Sequence, residues 1–276
     1  MRRNGIVDMT RWKEDPDRKP LVLRGARQVG KTWLMREFGR TCYEDFAYFN
    51  FDEEDQLRSI FEANKDPRRI VGLLGLIAGR KIEPGRTLII LDEIQECPEA
   101  LNALKYFKEQ ANEYHVMAAG SLLGTLLARP KSYPVGMVDL LDLPPLTFDE
   151  FLTASDEPLY EYYRDIQPGR PIEDLFHRRL TEACDHYFIV GGMPECAASW
   201  IEHRDPQRVQ RIQRELVAIY ENDLSKHDDR VNSARVLMVF RSIVSQLAKP
   251  NEPSSDGGHP PRRQLRGAVR PPFMRS

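Results

Sequence analysis

Residues 25 to 32 read Gly-Ala-Arg-Gln-Val-Gly-Lys-Thr: a glycine, four residues, then Gly30-Lys31-Thr32. This is the spacing G-x-x-x-x-G-K-[ST], in which successive backbone N–H groups can close around phosphate oxygens. Gly25 and Gly30 are expected to allow backbone conformations that a Cβ would forbid. Lys31 is expected to reach the β- and γ-phosphates, and Thr32 to offer its hydroxyl to Mg²⁺. The candidate cofactor-binding run is Gly25, Ala26, Arg27, Gln28, Val29, Gly30, Lys31, Thr32 and Trp33. A second cluster follows about sixty residues on, where Thr-Leu-Ile-Ile-Leu-Asp-Glu occupies 87 to 93. Four apolar residues there deliver Asp92 to a strand end, where a carboxylate can help hold Mg²⁺. Glu93 comes next and can orient or deprotonate an attacking water. It argues against a small-molecule kinase, in which no water need be activated. A third candidate is Ser121 in Gly120-Ser121, a polar residue at the tip of the next strand and a candidate γ-phosphate sensor. The expected catalytic set is Glu93, Lys31 and Ser121, and the expected metal set is Thr32 and Asp92.

These residues need a scaffold. Leu21 to Leu23 form an apolar strand that aims the loop. Trp33, Leu34 and Phe38 recur at helical spacing after Lys31, and Gly39 is expected to stop that helix. The positive end of its dipole would then lie beneath the bound anion. Further strands are expected at 46–52, 87–93, 114–119 and 138–143, with helices near 55–63, 67–79 and 99–110. Strands that alternate with helices imply a parallel sheet with right-handed crossovers. The expected fold class is α/β: a phosphate-loop NTPase three-layer sandwich with a five-stranded parallel sheet. The strand that ends at Ser121 should lie between the phosphate-loop strand and the Asp92 strand.

After Pro144-Pro145 the pattern becomes helical. Val209, Ile212, Leu216 and Ile219 repeat at intervals of three and four, as an amphipathic helix requires. The expected division is a phosphate-loop domain over 1–150, a helical lid over 151–250 and a disordered tail over 251–276. The tail is dominated by Pro, Gly and Arg without a period. It reads either as a basic arm for nucleic acid or as an appendage without a role.

The 276 residues are 41% hydrophobic and 30% charged, with a net charge of −2, so no overall basic field favours nucleic acid. Cys42, Cys97, Cys184 and Cys196 are far apart, which suits a reducing cytoplasm better than a disulfide framework or a metal centre. The N-terminus lacks the apolar core of a signal peptide, and the longest apolar stretch, Val71 to Ala78, is too short to span a bilayer. The expected setting is cytoplasmic, away from membranes.

Several motifs taken together resemble a family of prokaryotic AAA+-like ATPases. They are the 25–32 loop, Leu91-Asp92-Glu93-Ile94-Gln95, Ala119-Gly120-Ser121, Pro134-Val135-Gly136 and Pro145-Leu146-Thr147-Phe148-Asp149-Glu150-Phe151-Leu152. Gly191-Gly192-Met193-Pro194-Glu195 and the segment from Tyr220 to Lys226 extend the resemblance over about residues 1 to 252. It implies ATP and Mg²⁺ as cofactors, hydrolysis coupled to a switch between sheet and helical domains, and Pro194 lying against the nucleotide. For Gly192 to Pro194 a plain helix-breaking turn remains the alternative. The resemblance also implies an unidentified protein client, and relatives often self-associate, although no residue here sets a stoichiometry. There are two departures. Met137 follows Gly136 where relatives carry arginine, so a catalytically weak nucleotide switch is the alternative function, because such arginines are worth ~10³ or more in rate. Arg129 is nearby but has no argued role. The resemblance implies that members usually continue past Glu252 into a domain reminiscent of restriction endonucleases, so the expectation here is a frameshift or premature stop.

Overall fold

In this computed structural model the described residues are 1–120, 136–226 and 230–247. Contacts divide the chain into two compact units, Met1–Tyr220 and Glu221–Ser276.

The first unit is built on five parallel strands: β1 (Leu21–Arg24), β2 (Asp45–Asn50), β3 (Thr87–Asp92), β4 (His115–Gly120) and β5 (Asp139–Asp142). Their order across the sheet is β2-β3-β4-β1-β5. β4 therefore lies between β1 and β3, as expected. Leu21 pairs with Met117 on one side and with Asp139 on the other. β3 and β4 are buried along their whole length, as strands covered on both faces must be, whereas β5 at the edge is half exposed.

Alternate residues of each strand feed two cores. On one face Val22, Phe49, Ile89, Leu91 and Val116 pack with α3 (Asp55–Ala63), α4 (Pro67–Ile77) and α5 (Pro98–Gln110). On the other, Leu21, Leu23, Leu88, Ile90 and Met117 pack with α1 (Gly5–Glu14) and α2 (Lys31–Cys42). Some of the helices begin at a side chain that satisfies their free N–H groups. The Asp66 side chain accepts from Arg68 N ahead of Pro67, and Thr147 and Glu150 form a reciprocal capping box.

Gly39 does not stop α2, which continues to Cys42. A Cβ added at Gly39 would sit 2.8 Å from Phe46 Cβ and Cγ, so the glycine lets α2 lie directly on β2.

Beyond β5 the unit is helical: α6 (Phe148–Ser155), α7 (Glu157–Arg164), α8 (Asp174–Val190), α9 (Pro194–His203) and α10 (Pro206–Lys226), whose last turns enter the second unit. Leu146, Phe151, Val190, Ala197, Trp200 and Leu216 form a third core there. In the second unit, α11 (Arg230–Leu247) places Arg241 against Glu221, with Nε 2.7 Å from Oε1 and Nη2 3.2 Å from Oε2. Among the described residues no helix is long and apolar enough to cross a membrane. The proline- and arginine-rich tail lies outside the described residues, as do Arg129 and Ser121.

Candidate active site

The phosphate-loop segment leaves β1 at Arg24 and enters α2 at Lys31. Val29, fully buried, anchors its middle in the core. The residues on either side of Val29 are left-handed, Gln28 at φ 65° and Gly30 at φ 93°. Gly30 thus fits the expected need for an unusual backbone angle, and Gln28 adopts one despite its side chain. Gly25 serves a different purpose. Its φ is not positive, but a Cβ there would lie 2.4 Å from the Leu143 carbonyl oxygen. The glycine permits a close backbone approach to the chain leaving β5.

Lys31 is only 7% exposed. Its Nζ donates to the Gly25 and Ala26 carbonyls, each at 2.9 Å. Burial pushes its pKa down, partly offset by the nearby Glu93 and Asp92 carboxylates. A positive charge with little water around it suits the capture of phosphate.

Asp92 ends β3 and is 2% exposed. The Thr32 hydroxyl donates to its Oδ2 at 2.6 Å and the Tyr48 hydroxyl to the same oxygen at 3.0 Å. Its Oδ1 accepts from Glu93 N at 3.0 Å. Burial, and then Asp92, pushes the Tyr48 pKa up, so Tyr48 stays a donor. One alcohol and one carboxylate thus meet at a point beside the loop. Hard oxygen donors of this kind, few in number, match Mg²⁺, which draws its other ligands from water and phosphate. Glu93 turns out of the strand with a left-handed backbone at φ 49°, and its Oε2 accepts from Gln95 Nε2.

An apolar cavity of about 240 Å³ opens next to the loop, lined in part by Gly30, Trp33, Leu146, Pro194 and Ala198. Pro194 Cγ is 3.8 Å from where a Gly30 Cβ would be. The Gly192 turn is held to the chain after β5, with Leu146 N donating to Gly192 O at 2.6 Å. Trp33 faces out, 46% exposed, while Leu34 and Phe38 are fully buried. A second, more polar cavity of about 490 Å³ shares Trp33 and Arg3.

The sequence-derived residues from Gly25 to Trp33, Asp92, Glu93 and Pro194 therefore gather at the carboxyl ends of β1 and β3. β4 ends at Gly120, paired with Arg24. Sequence reasoning missed Tyr48 and the buried pair Arg3–Glu150 (Nε to Oε1 3.2 Å). Of these only Glu150 left a local trace, the Thr147-x-x-Glu150 capping pattern.

Residues 17–152 match the AAA domain family, and residues 181–255 match a domain family of unknown function, DUF8612. Residues 17–152 are thus similar to an AAA domain. Such a domain implies nucleotide binding and hydrolysis, and here it carries the loop, Asp92 and Glu93. The fold is similar to that of a Walker-type ATPase of Pyrococcus abyssi, at 16% identity and TM-score 0.52, covering 83% of this chain and 76% of that one. Weaker similarity links it to PCH-2 of C. elegans (12% identity, TM-score 0.41, 72% of this chain, 65% of that one). AMPPCP-bound DnaA of Aquifex aeolicus is similar at 11% identity and TM-score 0.38, over 87% of this chain and 78% of that one. No curated protein matches the sequence.

Proposed function

We propose that this chain binds Mg·ATP at the AAA domain's phosphate loop and hydrolyses it. The observation that carries the reading is the 2.6 Å contact of Thr32 Oγ1 with Asp92 Oδ2, two Mg²⁺-type ligands from separate elements meeting beside Lys31. Thr32 and Asp92 would hold the metal, which when bound offsets charge on the phosphates. Lys31 binds the terminal phosphates. Glu93 accepts a proton from the attacking water at its carboxylate, and Gln95 holds that carboxylate in place. The cavity between Trp33 and Pro194 takes the base. Ser121 is the proposed γ-phosphate sensor.

The division into a catalytic layer over 1–150 and a helical lid over 151–250 belongs to the same proposal. The Gly192–Pro194 turn rests on Leu146 and beside Gly30, so lid and nucleotide would sense one another and hydrolysis would move the helices. A second reading is a nucleotide switch with little turnover. Met137 favours it, standing where the family resemblance implies an arginine.

The test is ATP hydrolysis with Mg²⁺ by the full chain beside Lys31→Ala and Glu93→Gln. Turnover abolished by both supports an ATPase. Binding that needs Lys31 without turnover supports the switch. Nucleotide affinity unchanged in Lys31→Ala overturns both.

A further inference from the structure

A phosphate loop attracts anions only while its N–H groups face inward. A planar trans peptide places the carbonyl of one residue opposite the N–H of the next. Whatever holds a loop carbonyl outward therefore aims the following N–H inward. Lys31 takes the Gly25 and Ala26 carbonyls from within the loop, and Leu34 N takes the Gly30 carbonyl in the first turn of α2 at 2.9 Å. The two carbonyls on either side of Gln28 are held from far away in sequence. The Tyr220 hydroxyl donates to Arg27 O at 2.7 Å, and Arg3 Nη1 donates to Val29 O at 2.9 Å. These bonds fix the peptide planes that carry Gln28 N–H and Gly30 N–H, in the stretch where the backbone is left-handed.

The two holders differ in burial. Arg3 is 5% exposed, and its other nitrogens are committed to Glu150 Oε1 at 3.2 Å and to Pro144 O at 2.7 Å. Glu150 is in turn held by Asn4 N at 2.6 Å and Thr147 N at 3.0 Å. Arg3 is a fixed post. Tyr220 is half-buried near the end of α10 and is the last residue of the first unit.

We propose that Arg3 and Tyr220 are positioning residues of the phosphate loop, which hold its outer carbonyls so that Gln28 N–H and Gly30 N–H are presented to the bound phosphates. The proposal rests on the nucleotide-binding reading above.

Tyr220→Phe in the full chain is the cleaner test, since loss of Arg3 would strand Glu150 as a buried charge. Tyr43→Phe is the control; it removes a comparable phenol bond, to His115 Nδ1 at 2.6 Å, away from the loop. Dissociation constants for Mg·ATP and for Mg·tripolyphosphate, which lacks a base, are measured with melting temperature and steady-state rates. Tyr220→Phe is expected to weaken both ligands by the same factor, about three- to ten-fold, as loss of one neutral hydrogen bond allows. It is expected to raise KM with kcat little changed, while Tyr43→Phe leaves both affinities intact. Wild type that binds Mg·ATP, Lys31→Ala that does not, and Tyr220→Phe that matches wild type would overturn the positioning role alone. Equal weakening in Tyr43→Phe would overturn it too, as a general loss of stability. Wild type that fails to bind Mg·ATP would overturn the nucleotide reading and this proposal with it.

Discussion

Replacing Gly25 with alanine separates two reasons for a glycine at the start of the phosphate loop. The backbone there is not left-handed, so alanine meets no torsional objection. It meets a steric one: the new Cβ would sit 2.4 Å from Leu143 O and 3.1 Å from Val29 Cγ2. Cβ contacts stay beyond 3.0 Å, so 3.0 − 2.4, or at least 0.6 Å, must be found by movement. Leu143 cannot easily supply it, because its N–H donates to Arg24 O at 2.7 Å and Arg24 is the residue before Gly25. The movement falls on Gly25 and Ala26, whose carbonyls hold Lys31 Nζ. Mg·ATP affinity, measured by calorimetric titration, is expected to fall roughly ten- to a hundred-fold, as the loss of a hydrogen bond or two to charged phosphate allows. Overpacking should also cost about 1–3 kcal/mol, visible in the urea midpoint. Gly79→Ala is the counterpart: φ is 65° and no atom lies within 4 Å of the added Cβ. It should cost about 1–2 kcal/mol of stability and leave nucleotide binding unchanged. Gly25→Ala that binds Mg·ATP like wild type would refute the steric account.

Asp92→Asn should remove the gain in ATP affinity that Mg²⁺ confers, a factor of about ten to a hundred for a lost charged ligand, and leave affinity in EDTA unchanged. The same Mg²⁺ gain in the variant would exclude Asp92 from the metal site. Gly39→Ala should destabilise by about 1–3 kcal/mol in urea, because the Cβ would meet Phe46 at 2.8 Å. A simple glycine-to-alanine change in a free helix would instead stabilise by up to about 1 kcal/mol, so the sign of the shift decides. His115, 7% exposed, has its pKa lowered to about 4 by burial and by the nearby Arg18 and Lys13 charges. The unfolded chain takes up this proton near pH 6.5 and the native state only near 4. Stability is thus full above about pH 6.5, falls as the pH drops toward 4 and then levels, with a total near 3 kcal/mol. Urea midpoints between pH 7 and 4.5 should therefore fall more steeply for wild type than for His115→Gln, and parallel slopes would contradict a neutral buried imidazole.

The sheet was legible because its strands carry the plainest signal a sequence offers. Leu88 to Leu91 and Val116 to Ala119 are unbroken apolar runs, and both are buried on two faces. β5 was also legible, although it is half exposed, as the strand expected at 138–143. Gly39 was misread for a physical reason. A glycine can end a helix or admit a neighbour, and only the partner tells which. Here Phe46, seven residues on, lies against the helix, and α2 runs on past Gly39 to Cys42. At Gly25 the sequence marks the glycine but not the contact that requires it, because its partner, Leu143, is far along the chain.

The candidate site divides along a similar line. Lys31, Thr32, Asp92 and Glu93 act through side-chain chemistry placed by short local spacings, so a pattern of residue types exposes them. Tyr48, Arg3 and Tyr220 could not be read that way. Tyr48 reaches Asp92 across 44 positions. The acceptors of Arg3 and Tyr220 are backbone carbonyls, at Val29 26 positions away and at Arg27 193 positions away. Every residue carries a carbonyl, so the acceptor leaves no mark on the sequence, and the donor looks like any surface arginine or tyrosine. A left-handed Gln28 and a buried Val29 nevertheless require that the peptides beside them be held by something. Carbonyl accounting along a phosphate loop, residue by residue, is therefore where distant positioning groups come into view, and in this chain it leads from Lys31 to both Arg3 and Tyr220.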